Sequence, residues 1–209
     1  IGDVDKVLRQ RNALLKQAGG RMTSEIELTL DVFDAKLASA GEALARARLD
    51  LVDDVAPVLS DAYARVAQRA VPVDANYEPT WMRAGLRSVL LEGRREDLRR
   101  GVTLVGPHRD DLEIALAGLP ARAYASQGEQ RSLALALRLA AHDVVTRRTG
   151  AAPVLLLDDV FSELDPDRSD ALLANLPAGQ TVLSTASVLP SGAQPGRVLR
   201  VREGAVEEV

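Results

Sequence analysis

A chain of 209 residues with 46% hydrophobic side chains and only 3% aromatics can bury a core, but that core must be built from Leu, Val and Ala. Its 26 basic residues against 30 acidic ones leave a net charge of −4, which argues against a general basic coat for nucleic acid. Cysteine is absent, which excludes disulfides and thiolate metal sites and makes a reducing cytoplasm the expected compartment, and no apolar run nears the roughly 20 residues of a membrane span.

Only Lys6, Lys16 and Lys36 are lysines, and the remaining basic residues are arginines. Codon bias of a GC-rich genome explains that ratio better than phosphate recognition does. The chain begins at Ile1, inside what already reads as a helix, so a fragment without its N-terminal part is expected.

Residues 1–100 read as a helical arm. "VDKVLRQRNALLKQ" sets Val4, Val7, Leu8 and Leu15 on one stripe, and Gly19 and Gly20 end that helix. A second helix opens with Thr23 or Ser24 as N-cap. Leu30, Phe33, Leu37, Ala40, Leu44, Ala47 and Leu51 then follow in alternating steps of three and four, a heptad seam that breaks at Asp54. The pair predicts a short antiparallel coiled-coil hairpin, with a plain helical bundle as the alternative. Pro57 is expected to restart a helix to about Ala70, and "VPVDANYEP" reads as a loop. A further helix is expected from Thr80 to Arg100 around Trp81, Leu86 and Leu90. Its arginine-rich "EGRREDLRR" reads as a solvated helical face rather than a DNA patch.

From Gly101 to residue 209 the pattern turns to α/β. "VTLVG" and "LEIAL" read as strands, the second joined by "AGLP" to a partner at residues 121–124. A long Ala/Leu helix follows. Next come "APVLLLDD" as a parallel strand buried on both faces, a helix at 166–175, a strand "QTVLST" and a terminal hairpin "RVLRVREGAVEEV". Strands alternating with helices imply a parallel sheet with crossovers.

Two stretches carry candidate chemistry. "PVLLLDDVFSELD" places the carboxylates of Asp158 and Asp159 at the carboxyl end of a strand, where ligands bind in open α/β sheets. Adjacent carboxylates repel, and a nucleotide-bound Mg²⁺ would relieve them. The plain alternative is a strand that ends in a polar turn. In "YASQGEQRSLALALRLA" a helix beginning near Gly128 would aim free N–H groups and the positive end of its dipole outward, an anion site to which Ser126 adds a hydroxyl and Gly128 close access. Its plain alternative is a capping box, Ser126 with Glu129 three residues on.

The order of these parts, a small-polar-Gly-Glu turn opening a helix, then a strand ending in Asp-Asp, then "SELD", resembles ATP-binding-cassette ATPases. With "LRRGVTLVGPHRDDLEI" added, the chain resembles the RecF family of bacterial DNA replication and repair proteins, most weakly beyond Ala186. That resemblance implies an α/β ATPase head related to chromosome-maintenance ATPases, with a helical arm in its second lobe. It implies ATP and Mg²⁺ as cofactors, a homodimer formed on ATP binding, and DNA as partner: single- and double-stranded, at gap junctions. It also implies the recombination mediators RecR and RecO as partners, and a slow ATPase acting in gap repair and the SOS response.

Carried over residue by residue, the resemblance makes Ser126, Gln127, Gly128 and Glu129 contacts to the γ-phosphate held by the other protomer. Asp158 would hold the Mg²⁺ shell through water, Asp159 would stand in for the water-activating Glu, and Ser162 and Asp165 would form the D-loop. Thr185 falls where related ATPases often carry a switch His. His108 and Arg109 match a family motif without an assigned role. No Gly-Lys pair occurs, so a P-loop is missing from these residues, which alone are expected neither to bind ATP tightly nor to hydrolyse it. A chromosome-organising ATPase head is the alternative reading, disfavoured by so short a heptad seam; a transporter nucleotide-binding subunit would carry no heptad hairpin before the signature.

Overall fold

The computed structural model describes residues 2–186 and 188–209; Ile1, where the sequence already reads as helix, lies outside them. Helix α1 (Gly2–Ala18) has Asp3 and Asp5 in its first turn and Lys16 in its last, matching the helix dipole. It ends where Gly19 and Gly20 take φ of 56° and 81°. Helix α2 runs unbroken over Ser24–Ala67, with Thr23 as its N-cap, the Oγ1 accepting from Ile26 N–H at 3.3 Å. Pro57 therefore sits inside a helix rather than starting one. Burial of Val55, Leu59, Ala62, Tyr63 and Val66 along one stripe outweighs the roughly 3 kcal/mol that an internal proline costs.

The heptad seam holds only in part. Leu30 and Leu37 are fully buried and Leu44 packs on the core, but Leu51 is 46% exposed while Ala45 is buried and Leu49 and Val52 pack inward. The buried stripe steps forward by one residue, as expected for a straight helix drifting against a seven-residue repeat. Helix α3 (Leu86–Arg100) completes the packing of α1 and α2: Leu15, Ala18, Leu30 and Leu98 form one cluster, and Val4, Leu37, Trp81, Leu86 and Leu90 belong to another. The helix begins after Gly85 (φ 82°), not at Thr80, and Trp81 is buried from the turn before it.

An ionic network inside this unit was not legible as such in the sequence. Arg11 is fully buried; its Nε donates to Asp34 at 2.7 Å and its Nη1 to Asp97 at 2.7 Å and to Thr103 at 2.8 Å. Arg94, expected on a solvated face, is buried instead and donates to the other oxygen of Asp34 at 2.8 Å and to Asp31 at 2.6 Å. The expected strand at 102–106 is absent for a related reason. Thr103 N–H goes to the Asn12 side chain and Leu104 N–H to Asp97, so these donors are spent on side chains, not a ladder.

Within the expected loop at 71–79, Val73–Asn76 forms a strand, β1, anchored at Val73, whose N–H and C=O both bond the Ser60 hydroxyl. Strand β2 (Glu113–Leu116) pairs antiparallel with β3 (Leu119–Pro120) in a sheet ordered β1-β2-β3. The two-residue turn uses Ala117 and Gly118 at φ 52° and 76°, the twist a hairpin favours. Residues 121–124, expected as strand, form a short helix α4 (Ala121–Tyr124), because Pro120 cannot donate to a ladder and ends it.

Helix α5 (Gln127–Thr149) leads to β4 (Leu155–Asp158), which pairs in parallel with β5 (Thr181–Ser184) across helix α6 (Pro166–Ala174). A hairpin of β6 (Leu199–Arg202) and β7 (Ala205–Glu208) closes the chain as expected. Strand β4 is not buried on both faces: Leu155 and Leu157 are covered, but Leu156 is 70% exposed, since among the described residues its sheet has two strands and one covered face. By packing, the chain divides into residues up to Ala56 with Ala75–Ile114, and Pro57–Asp74 with Ala115–Val209. These units interleave in sequence, whereas a boundary at residue 100 follows the change from helical to α/β pattern.

Replacing Asp34 with Ala would leave two buried guanidiniums short of a carboxylate. The expected loss is about 3–5 kcal/mol, read from the urea unfolding midpoint.

Candidate functional site

The start of α5 is a reciprocal cap. Ser126 is extended (φ −61°, ψ 161°), and its Oγ accepts from Glu129 N–H at 3.3 Å. The Glu129 carboxylate in turn accepts from both Ser126 N–H and Ser126 Oγ at 2.8 Å. The capping box is thus present, and the corner lies at the surface: Ser126 and Gln127 are exposed and Gly128 and Glu129 half-buried. Gln127 and Gly128 lie in the first turn, where no i−4 carbonyl of the helix exists for their N–H groups. Hydrogen bonds from the Ser126 backbone and then its hydroxyl hold the Glu129 carboxyl below its usual range, with help from Arg69 and Arg168. Arg69 Nη1 stands 3.6 Å from that carboxylate. Tyr63 is buried close by, its hydroxyl pushed up by burial and then by the Glu129 charge.

Arg168 is the functional candidate that sequence reading missed. A Cβ on Gly128 would fall 2.5 Å from its Nη1, so the guanidinium occupies the space beside that glycine. The same group lies 3.5 Å from Asp165, whose carboxylate caps α6 by accepting from Arg168 N–H at 2.9 Å. The available signal was spacing alone, Arg168 three residues after a cap residue.

The second group gathers at the carboxyl end of β4. Asp158 faces Ser184 across the parallel pair, and the Ser184 hydroxyl donates to its carboxylate. Asp159 donates its N–H to Ser184 C=O at 3.0 Å and adopts φ 48°, the left-handed region that Asp tolerates better than most residues. A 3₁₀ turn at Val160–Glu163 follows, in which Ser162 Oγ donates to Asp159 C=O at 2.8 Å. Asp158, Asp159, Ser162 and Asp165 are exposed, and Thr185, next after Ser184, is half-buried. Among the described residues no group of three or more His, Asp or Glu side chains is placed to hold a metal ion. A single exposed carboxylate suits a cation that keeps its waters and takes its other ligands from phosphate, as Mg²⁺ does.

His108 and Arg109 belong to the other packing unit. The "GPHRDD" segment is a latch there. Arg48 donates to Pro107 C=O at 2.6 Å, and Asp110 accepts from Tyr77 Oη at 2.8 Å and Trp81 Nε1 at 2.9 Å. His108 Nε2 donates to Thr103 C=O at 3.0 Å, while its buried Nδ1 has no hydrogen-bond partner among the described residues and packs beside Gly106. Burial holds the imidazole below its ordinary value, which favours the neutral ring. Arg109 and Asp111 are exposed, and both line a cavity with Tyr77, Trp81 and Met82.

A capped helix start, a parallel strand ending in aspartate, and a short turn into a second capped helix follow one another in an α/β arrangement. The chain is 41% identical over 248 residues to the DNA replication and repair protein RecF of Pseudarthrobacter chlorophenolicus, covering 99% of this chain and 61% of that protein. It is 43% identical over 226 residues to the protein of the same name from Streptomyces avermitilis, covering 99% and 59%. A solved structure of the recombination mediator protein RecF-ATPrS in the RecFOR pathway matches with a TM-score of 0.83 at 29% identity, over 99% of this chain and 57% of that one. One of RecF-ATP matches with 0.80 at 30%, with the same coverage. No family model matches. Over nearly its whole length the chain is similar to RecF proteins, and it spans about three fifths of the length of these curated relatives.

Two outcomes follow for the caps and the latch. Ser126→Ala should cost about 1 kcal/mol, seen as a lower Tm. Because the Glu129 carboxyl is depressed in the folded state, its part of the cap is fully present at neutral pH and is lost only as pH falls below 4.5 through the folded value. His108, depressed below 6.5, works in a higher window: the unfolded chain takes up that proton first, so stability present above pH 6.5 falls as pH drops below it toward the folded value. His108→Gln should flatten that part of the Tm-against-pH curve.

Proposed function

We propose that this chain supplies the signature, Walker B and D-loop elements of an ATP-dependent DNA repair protein, acting at gapped DNA and loading recombination mediators of the RecR and RecO type. The observation that carries this reading is the identity to RecF relatives that runs through 99% of the chain, and so through each of the motifs above. The solved RecF neighbours were studied with ATP and an ATP analogue, which supports ATP as the nucleotide. The reading includes single- and double-stranded DNA at gap junctions as partner, and a cytoplasmic setting.

In this reading the Ser126–Glu129 corner meets the γ-phosphate of a nucleotide seated in a second protomer. The donors offered are the first-turn N–H groups of Gln127 and Gly128, because Ser126 Oγ and Ser126 N–H are already engaged by Glu129. Asp158 would hold the water shell of Mg²⁺, with Ser184 fixing the orientation of its carboxylate. When bound, the metal supplies charge neutralisation at the phosphates. Asp159 stands where a general base would accept the proton of the attacking water. Its side chain is one methylene shorter than Glu, and general-base efficiency depends on reach, so hydrolysis is slow, as suits a switch. Ser162 and Asp165 approach the same interface, with Thr185 at the position of the switch residue. The P-loop lysine is not among these 209 residues, and the reading takes it from protein beyond them.

In the full-length protein, Ser126→Arg should abolish ATP-dependent dimerisation, measured by sedimentation, while nucleotide binding by each protomer persists. A variant that still pairs fully with ATP would overturn the proposal.

A further inference from the structure

We propose that Arg168 is a positioning residue that fixes the Ser126–Glu129 corner to the turn ending at Asp165, so that both segments reach a partner's nucleotide as one rigid unit. This inference rests on the function proposed above. Four observations, all within one packing unit, carry it.

The first is steric. In a helix every Cα–Cβ bond tilts toward the N-terminus, so the position of a Cβ on Gly128 lies at the flank of the exposed end of α5. Arg168 Nη1 comes within 2.5 Å of that position and its Cζ and Nη2 within 3.3 Å. A glycine is therefore required at 128 while the guanidinium stays where it is. The second is the tether at the other end. Asp165 accepts from Arg168 N–H at 2.9 Å and its second oxygen lies 3.5 Å from the guanidinium, so one carboxylate both caps α6 and steers the side chain.

The third is electrostatic. A cation near the positive end of a helix dipole is unfavourable unless carboxylates compensate it. Here Glu129 feels Arg168 and Arg69, and Asp165 closes the set. The fourth is geometry of origin: Asp165 caps α6 and Arg168 lies in its first turn, while Ser126 caps α5 and Gly128 lies in its first turn. Arg168 contacts the first turn of each, so a shift of one displaces the other.

The test compares Arg168→Ala, Arg168→Lys, Gly128→Ala and the Gly128→Ala/Arg168→Ala double variant in the full-length protein. Ser126→Arg serves as reference. ATP-dependent dimerisation is followed by sedimentation, and Tm is recorded for each. Arg168→Ala is expected to weaken dimerisation about tenfold, with nucleotide binding by the protomer unchanged. Arg168→Lys should recover little of the loss, since its ammonium can pair with Asp165 but cannot also fill the space beside Gly128. Gly128→Ala should give the same defect, because its methyl displaces the guanidinium. The double variant should be no worse than either single one.

Wild-type dimerisation by Arg168→Ala, or losses that multiply in the double variant, would overturn the inference. If Arg168→Ala lowers Tm, Gly128→Ala, which keeps the arginine, decides the matter by the same two criteria. When Ser126→Arg abolishes dimerisation and Arg168→Ala does not, only this inference fails. When Ser126→Arg dimerises normally, the proposed function fails with it.

Discussion

A guanidinium that sees no water has to be answered by carboxylates, and Arg11 imposes that condition on the helical unit. Its partners Asp34 and Asp97 come from α2 and α3, and Asp34 also answers Arg94. Each of these groups alone in an apolar interior would cost several kcal/mol, so the helices are compatible only in the register that joins them. That register decides which side of α2 is buried and brings Leu30 against Leu15 and Leu98. It also consumes the backbone donors of Thr103 and Leu104 that a strand would have needed. The network thus shapes segments as far as 92 residues apart in sequence.

The candidate site depends on a different and more local device. Both of its helices begin with a side-chain cap, Ser126 on α5 and Asp165 on α6. A cap satisfies one or two first-turn N–H groups and leaves the others facing outward. The same residues therefore hold the helix ends in place and leave donors for a ligand. Capping box and phosphate seat were set against each other as readings of Ser126 and Glu129, but the geometry makes the box a fact and leaves Gln127 and Gly128 as the donors on which a phosphate role would draw.

What could be read from the sequence tracks the range of the interactions involved. The caps of α2 and α5, the Gly19–Gly20 break, the β4–β5 order and the terminal hairpin all rest on contacts within a few residues or on a two-residue period, and each is found. Errors arose where distant partners decide. Arg94 looks solvated until Asp34 is placed beside it, and "VTLVG" looks like a strand until Asn12 and Asp97 take its N–H groups. Pro57 looks like a helix start because the burial that carries α2 past it comes from tertiary packing. In the site itself, Asp158 and Ser126 were visible from their own motifs. Arg168 was not, because its meaning lies in the space beside Gly128, which no local pattern encodes.

Charge balance decides whether the corner can receive an anion at all. Glu129 places a carboxylate directly against Ser126, and an unbalanced negative charge there would repel a triphosphate more strongly than two N–H donors attract it. Arg69 stands beside Glu129, and Arg168 lies between Asp165 and Gly128. Two arginines against two carboxylates leave the immediate surroundings neutral, so what an approaching phosphate meets is the helix end and not the acid that caps it. Neutrality reached by pairing, not by omitting Glu129, keeps the cap while leaving the dipole unopposed. A corner of this kind binds weakly unless desolvated, since each exposed contribution is only about 0.3–1 kcal/mol. Its strength would therefore come from closure against another surface, which is what a nucleotide shared between two protomers would provide.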